Sequence, residues 1–371
     1  MRIHSLSGVL LALVSTAAGC APPRCPPVAA PPPRAAVVRG AVGERLDGRL
    51  RALADSRFAG AVLVMRRGET LLRQGYGRTA GTCGRPVTPA TGYWIGSLSK
   101  SFAAAAILRL EEEGRLRTTD SIGRFFTGLP TGRAGITLHQ LLTHTGGLGH
   151  NYAADGTSDR SRAVAAILRP PAVDEPGTRF HYSNDGYNLL AAVVETAAGE
   201  PYDAYVQRML IGPAGLRSSG PWDDRPAADA LGIAPPRNGR GPAYHLHDRG
   251  YMGATGIHST VDDLVRWLNA LRGGRVLRDS SIARMWRPYV AAGARGEYGY
   301  GWFISTAPGG GRVVEHGGTD TDLGHNAVLW WRMDDDVVIS IASASGEPGG
   351  VPASRRVRDA LIRLLPATGA P

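Results

Sequence analysis

Strand-forming sequence lies at both ends of the folded part of this chain and helical periodicity fills the middle. That separation restricts the fold more than any other feature. Two β-rich runs, Gly60–Met65 and Thr70–Tyr76, surround the turn-like Arg67-Gly68, and β patterning returns only at Tyr298–Ile304, Arg312–Glu315, Asn326–Trp331 and Val337–Ala342. Helical spacing runs through Leu46, Leu50 and Leu53, through Ser97–Glu113 up to Gly114, through Tyr187–Ala198 up to Gly199, and through Val261–Arg272 after Ser259-Thr260. A last helix is expected over Arg355–Leu365. The expectation is an α/β (α+β) two-lobe fold: one antiparallel sheet assembled from the N- and C-terminal segments and flanked by helices, with a mainly helical lobe inserted at about 137–272. With 371 residues the chain exceeds the roughly 250–300 at which a single core stops growing, so a cleft between lobes is the expected site.

The amino terminus reads as an export segment. Arg2 precedes an apolar run, Val9–Val14, too short for the roughly 20 residues of a membrane span, and small residues follow into Gly19-Cys20. Residues 1–19 are therefore expected to be a signal peptide. Gly19-Cys20 resembles a lipoprotein cleavage site with Ala17 in place of the usual leucine; an ordinary signal peptide cut near Ala18–Ala21 is the alternative. Residues 20–38, rich in proline and alanine, read as a semi-rigid tether, and 39–368 as the folded domain. The expected location is periplasmic or lipid-anchored through Cys20, alternatively secreted. Cys25 and Cys83 could pair in an oxidising compartment or stay as thiols.

Composition contributes one sharp fact. The 42 basic residues include a single lysine, Lys100, against 32 acidic ones for a net charge of +10. The arginines are scattered, with no basic stripe, which argues against a nucleic-acid partner. Where a chain otherwise uses arginine, a retained lysine marks a place where a proton must be exchanged. Lys100 closes Ser97-Leu98-Ser99-Lys100, and a spacing of three on a helix puts Ser97 and Lys100 on one face. An amine beside a serine hydroxyl is an arrangement for nucleophilic catalysis.

Two further elements follow in order: Tyr182-Ser183-Asn184 before a helix, and His316-Gly317-Gly318 at the close of a strand. Together with Gly96-Ser97-Leu98-Ser99-Lys100 and the stretches Ile136–Leu148, Gly256–Leu264 and Tyr298–Trp302, the sequence resembles the serine β-lactamase-related family over roughly 45–365. That family includes class C β-lactamases, D-alanyl-D-alanine peptidases and related esterases. The resemblance implies a β-lactamase/transpeptidase-like fold and an acyl-enzyme on Ser97. It assigns the general-base role jointly to Lys100 and Tyr182, and an oxyanion hole to the N–H groups of Ser97 and Thr319. Asn184, His316, Gly317 and Gly318 would contact the substrate, a small molecule or peptide; no cofactor is implied. Class C enzymes normally carry Lys-Thr-Gly where this chain has His316-Gly317-Gly318. A largely neutral histidine and a missing hydroxyl imply an esterase or D,D-peptidase rather than an efficient β-lactamase. If a protonated His316 recognises a carboxylate, turnover of anionic substrates should fall between about pH 6 and 8. A non-hydrolytic penicillin-recognising sensor or degenerate scaffold of the same fold is the alternative.

Other constellations have plainer readings. His245-x-His247-Asp248 lacks further ligands at metal-site spacing, so no metal is expected. His144 and His150 flank a glycine-rich turn and read as structural. Asp334-Asp335-Asp336 reads as a solvated hairpin turn, and Trp330-Trp331 as half core, half cover for the sheet.

Overall fold

A computed structural model describes residues 35–55, 58–79, 84–149, 152–221, 248–320, 324–346 and 350–365. Cys20, Cys25, Cys83, His150, His245 and His247 lie outside the described residues, as do the expected signal peptide and most of the tether. Among the described residues no helix is long and apolar enough to cross a membrane.

The strands are β1 (Val37–Val38), β2 (Gly60–Arg66), β3 (Glu69–Tyr76), β4 (Tyr93–Trp94), β5 (Gly220–Pro221), β6 (Ile257–Ser259), β7 (Val290–Ala291), β8 (Glu297–Tyr298), β9 (Phe303–Thr306), β10 (Arg312–Thr319), β11 (Asn326–Arg332) and β12 (Val337–Ser343). Nine of them form one antiparallel sheet in the order β1-β3-β2-β12-β11-β10-β9-β8-β7. The N- and C-terminal segments meet where β2 pairs with β12, Val62 opposite Ile341 and Val64 opposite Ile339. Both strands are buried on both faces, β2 as far as Val64, and so both are mainly apolar instead of alternating.

Side chains alternate across this sheet. Leu329 and Trp331 face the helical lobe, while Val328 and Trp330 face helix α1 (Gly40–Asp55) and the C-terminal helix Ala353–Ile362. Both tryptophans are therefore core, one on each side, rather than core and cover. Each fully buried Leu, Ile, Val or Phe stabilises by roughly 1.5–3 kcal/mol relative to exposure, so burial of both faces holds the chain ends in place.

Three local expectations change. Tyr298–Ile304 is not one strand: the Gly299 N–H donates to the Trp302 carbonyl at 2.8 Å and Gly301 has φ +77°, so a turn divides it into β8 and β9. The carboxylates of 334–336 are not all solvated: Asp335 is buried between Arg332 (2.7 Å) and Arg66 (2.8 Å), and Asp336 pairs with Arg272. A 3-10 turn over Gly96–Ser99 precedes the buried helix α2 (Lys100–Glu112), so regular α-helix starts three residues after Ser97.

Candidate active site

The helical lobe contributes α3 (Leu138–Leu142), α4 (Arg160–Leu168) and α5 (Asn184–Ala198). Ser97 lies in the turn that leads into α2. The chain just before that turn is fixed by bonds from Trp94 N–H to His325 Nδ1 (3.2 Å) and from Ile95 N–H to the Ile257 carbonyl (3.0 Å). Lys100 lies one turn on, fully buried. Its Nζ is 3.1 Å from Ser97 Oγ, 2.6 Å from Asn184 Oδ1 and 3.2 Å from the Ala254 carbonyl. All three neighbours are neutral, and among the described residues no carboxylate pairs with this amine. Burial accordingly pushes Lys100 well below its ordinary value.

Tyr182 and Asn184 straddle the cap of α5. Ser183 accepts from the Gly186 N–H at 3.0 Å and donates to the Gly149 carbonyl at 2.8 Å. This cap leaves Tyr182 just outside the helix, where its hydroxyl hydrogen-bonds Ser97 and its ring centroid is 4.7 Å from Lys100 Nζ. Burial raises Tyr182 above its ordinary value, opposed by the Ser97 bond and then by Arg295 and Arg355. The two directions favour a neutral amine and a neutral phenol, the reverse of an ammonium–phenolate pair.

Strand β10 supplies the third wall. A Cβ on Gly318 would lie 1.9 Å from the Ile95 carbonyl oxygen and 2.6 Å from Ser97 N, so only glycine lets the strand touch the turn here. Gly96, at φ +54°, faces it, with Thr319 N 2.9 Å from the place of its own Cβ. The N–H groups of Ser97 and Thr319 are thereby brought to one junction.

His316 is placed differently from its expected role as a cationic substrate contact. Its ring is buried between Tyr182, Tyr298 and Phe303 and does not line the cleft. Nδ1 lies 2.8 Å from the Gly317 carbonyl and so carries the proton; Nε2, 3.2 Å from the Tyr298 hydroxyl, accepts. Burial pushes it well below the ordinary histidine value.

The cleft over Ser97 holds about 360 Å³ and is lined by Tyr152, Phe180, Tyr182, Asn184, Phe303, Gly317 and Thr319 together with Arg295 and Arg355. Sequence reading missed both arginines. Arg295 covers the Phe303 ring at 4.8 Å, and Arg355 reaches over from the C-terminal helix. Its Nε is 3.8 Å from where a Gly317 Cβ would be, so the guanidinium lies directly beside this stretch of β10.

Comparison with known proteins agrees with this architecture. The chain belongs to the beta-lactamase family, whose model matches residues 44–364. It is 27% identical over 289 residues to penicillin-binding protein 4* of Bacillus subtilis (strain 168), covering 70% of this chain and 63% of that one. It is 28% identical over 318 residues to esterase EstB of Burkholderia gladioli, covering 72% of this chain and 81% of that one. The octameric penicillin-binding protein homologue from Pyrococcus abyssi superposes with a TM-score of 0.74 at 26% identity, over 88% of this chain and 78% of that one. The chain thus spans less than two thirds of penicillin-binding protein 4*.

Proposed function

We propose that the protein is a serine hydrolase that forms an acyl-enzyme on Ser97 from small esters, amides or D-amino-acid peptides, preferentially those carrying an anionic group. The observation that carries the reading is the buried Lys100 Nζ, 3.1 Å from Ser97 Oγ with only neutral neighbours. A neutral amine spends its two N–H groups on Asn184 and the Ala254 carbonyl, and its lone pair faces the Ser97 hydroxyl. As Oγ attacks the substrate carbonyl, its proton passes to Lys100. The oxygen that becomes negative is held by the N–H groups of Ser97 and Thr319. The tetrahedral species collapses as Tyr182 protonates the leaving group and recovers a proton from Lys100; water then releases the acid by the same path in reverse. The resemblance to an esterase and to a penicillin-binding protein supports this reaction class. The reading includes export through residues 1–19, with Cys20 as a lipid acceptor.

Trapping tests it. Acid quench of the protein during turnover of p-nitrophenyl acetate, followed by peptide mass analysis, is expected to find an acetyl group on the Ser97 peptide, absent in Ser97→Ala. Acylation at another residue, or undiminished hydrolysis by Ser97→Ala, would sink the reading. One equivalent of p-nitrophenol without turnover would instead identify a sensor.

Preference for anions follows from Arg295 and Arg355 on the cleft wall; burial lowers Arg355, but from an ordinary value so high that it keeps its charge near neutral pH. The ratio of kcat/KM for a carboxylate-bearing ester to that for its neutral analogue should be flat between about pH 6 and 8, unlike the fall expected of a titrating histidine. Arg355→Gln should lower that ratio about tenfold, the loss of one charge-assisted hydrogen bond. An unchanged ratio would remove Arg355 from recognition.

A further inference from the structure

His144 stands out on backbone geometry. Its φ is +58°, a left-handed conformation that non-glycine side chains rarely adopt, and it is buried. Held strain at a buried position asks what it accomplishes. The carbonyl oxygen of His144 accepts the N–H of His181 at 2.8 Å, and its ring Nδ1 accepts the N–H of Ser183 at 3.0 Å. One residue therefore binds the chain immediately before and immediately after Tyr182. Its ring also lies against the Tyr182 ring, centroids 4.3 Å apart at 38°, and against Tyr187 and Tyr298 at 4.9 and 4.7 Å.

We infer that His144 is a positioning residue for Tyr182: its left-handed backbone lets carbonyl and ring nitrogen both face segment 181–183, fixing the phenol over Ser97 and Lys100. This inference rests on the proposed role of Tyr182. The ring nitrogen works here as an acceptor, so the requirement is for an unprotonated atom at that place in a residue that tolerates positive φ. Asparagine meets it, because its Oδ1 falls where Nδ1 lies and it enters the left-handed region more readily than most residues. Glycine relieves φ but has no acceptor, and alanine lacks the acceptor without adding glycine's chain entropy.

The test uses the full-length protein with phenyl acetate, whose leaving oxygen is basic enough to need a proton, measuring kcat/KM against pH together with thermal unfolding for His144→Asn, His144→Gly, His144→Ala and Tyr182→Phe. His144→Gly and His144→Ala should lose about 10- to 100-fold in kcat/KM, part of the general-acid/base contribution, and move the acid limb set by Lys100 towards higher pH, because a displaced Tyr182 ring, 4.7 Å from Lys100 Nζ in the native site, no longer keeps water from that amine. His144→Asn should stay within about threefold of the wild type, since the hydrogen bond to Ser183 is kept. The position of the acid limb does not depend on the folded fraction, so a poorly folding glycine variant is still read through it and through the alanine variant. A fall in unfolding temperature with an unmoved pH profile overturns the inference, as does an asparagine variant as impaired as the glycine one. Wild-type activity in Tyr182→Phe would instead overturn the underlying role of Tyr182, whatever the residue at 144.

Discussion

Lys100→Arg is expected to lower kcat/KM by about 10³-fold or more, because guanidinium cannot give up its proton under any working condition and so cannot receive the one that must leave Ser97. The charge is kept, and the proton path is lost. The environment sharpens the expectation. Lys100 is fully buried among neutral acceptors, and a permanent cation there is an uncompensated buried charge that costs several kcal/mol. Lys100→Arg should therefore also unfold at a lower temperature than Lys100→Met, which fills the channel without charge and should be equally inactive. The pH dependence has a definite sign. Burial lowers Lys100, so the active, deprotonated form is populated below the ordinary lysine value, and acylation is lost as pH falls through the lowered one. An acid limb that survives in a catalytically active Lys100→Arg protein would exclude Lys100 as the proton acceptor.

Lys100 is also the site residue most legible from sequence. Against 41 arginines a lone lysine three residues after a serine is conspicuous, and hydrophobic period then places it on a helix. The pairing of distant strands is readable for the same kind of reason, since Gly60–Met65 and Val337–Ala342 are apolar apart from Ser340 and must be covered on both faces. Arg295 and Arg355 carry no comparable mark. They are two among many identical residues, and only the packing of the C-terminal helix on β11 and β12 brings Arg355 to the cleft. His316 shows the opposite failure. Residue type and motif position suggest a charged contact, but the side chain points into an aromatic cluster that strand alternation alone could not locate. The break between β8 and β9 escapes sequence reading because Tyr298-Gly299-Tyr300-Gly301-Trp302 has the aromatic content of a strand; the positive φ at Gly301 is a tertiary outcome.

Gly318→Ala should cost about 10²–10³ in kcat/KM, the magnitude associated with losing one oxyanion donor. A methyl at this position would stand 1.9 Å from the Ile95 carbonyl oxygen and 2.6 Å from Ser97 N, both backbone atoms that no rotamer change can move aside. The end of β10 must then separate from the turn that holds Ser97, and the N–H groups of Ser97 and Thr319 no longer converge. The rest of the strand has its own anchors: Val313 and Val314 are buried on opposite faces, and β10 stays paired with β11 from Val313 to Gly317. Loss of activity should therefore exceed loss of stability. Val313→Ala provides the control, since it removes buried methyls from the far end of the same strand and lowers stability without touching the junction. A boronic acid that forms a tetrahedral adduct on Ser97 reads the hole directly, because one adduct oxygen occupies it. Its affinity should fall with kcat/KM in Gly318→Ala and hold within about threefold in Val313→Ala. If Gly318→Ala keeps both boronate affinity and turnover, the oxyanion is stabilised elsewhere, and the contact between β10 and the Ser97 turn serves packing alone.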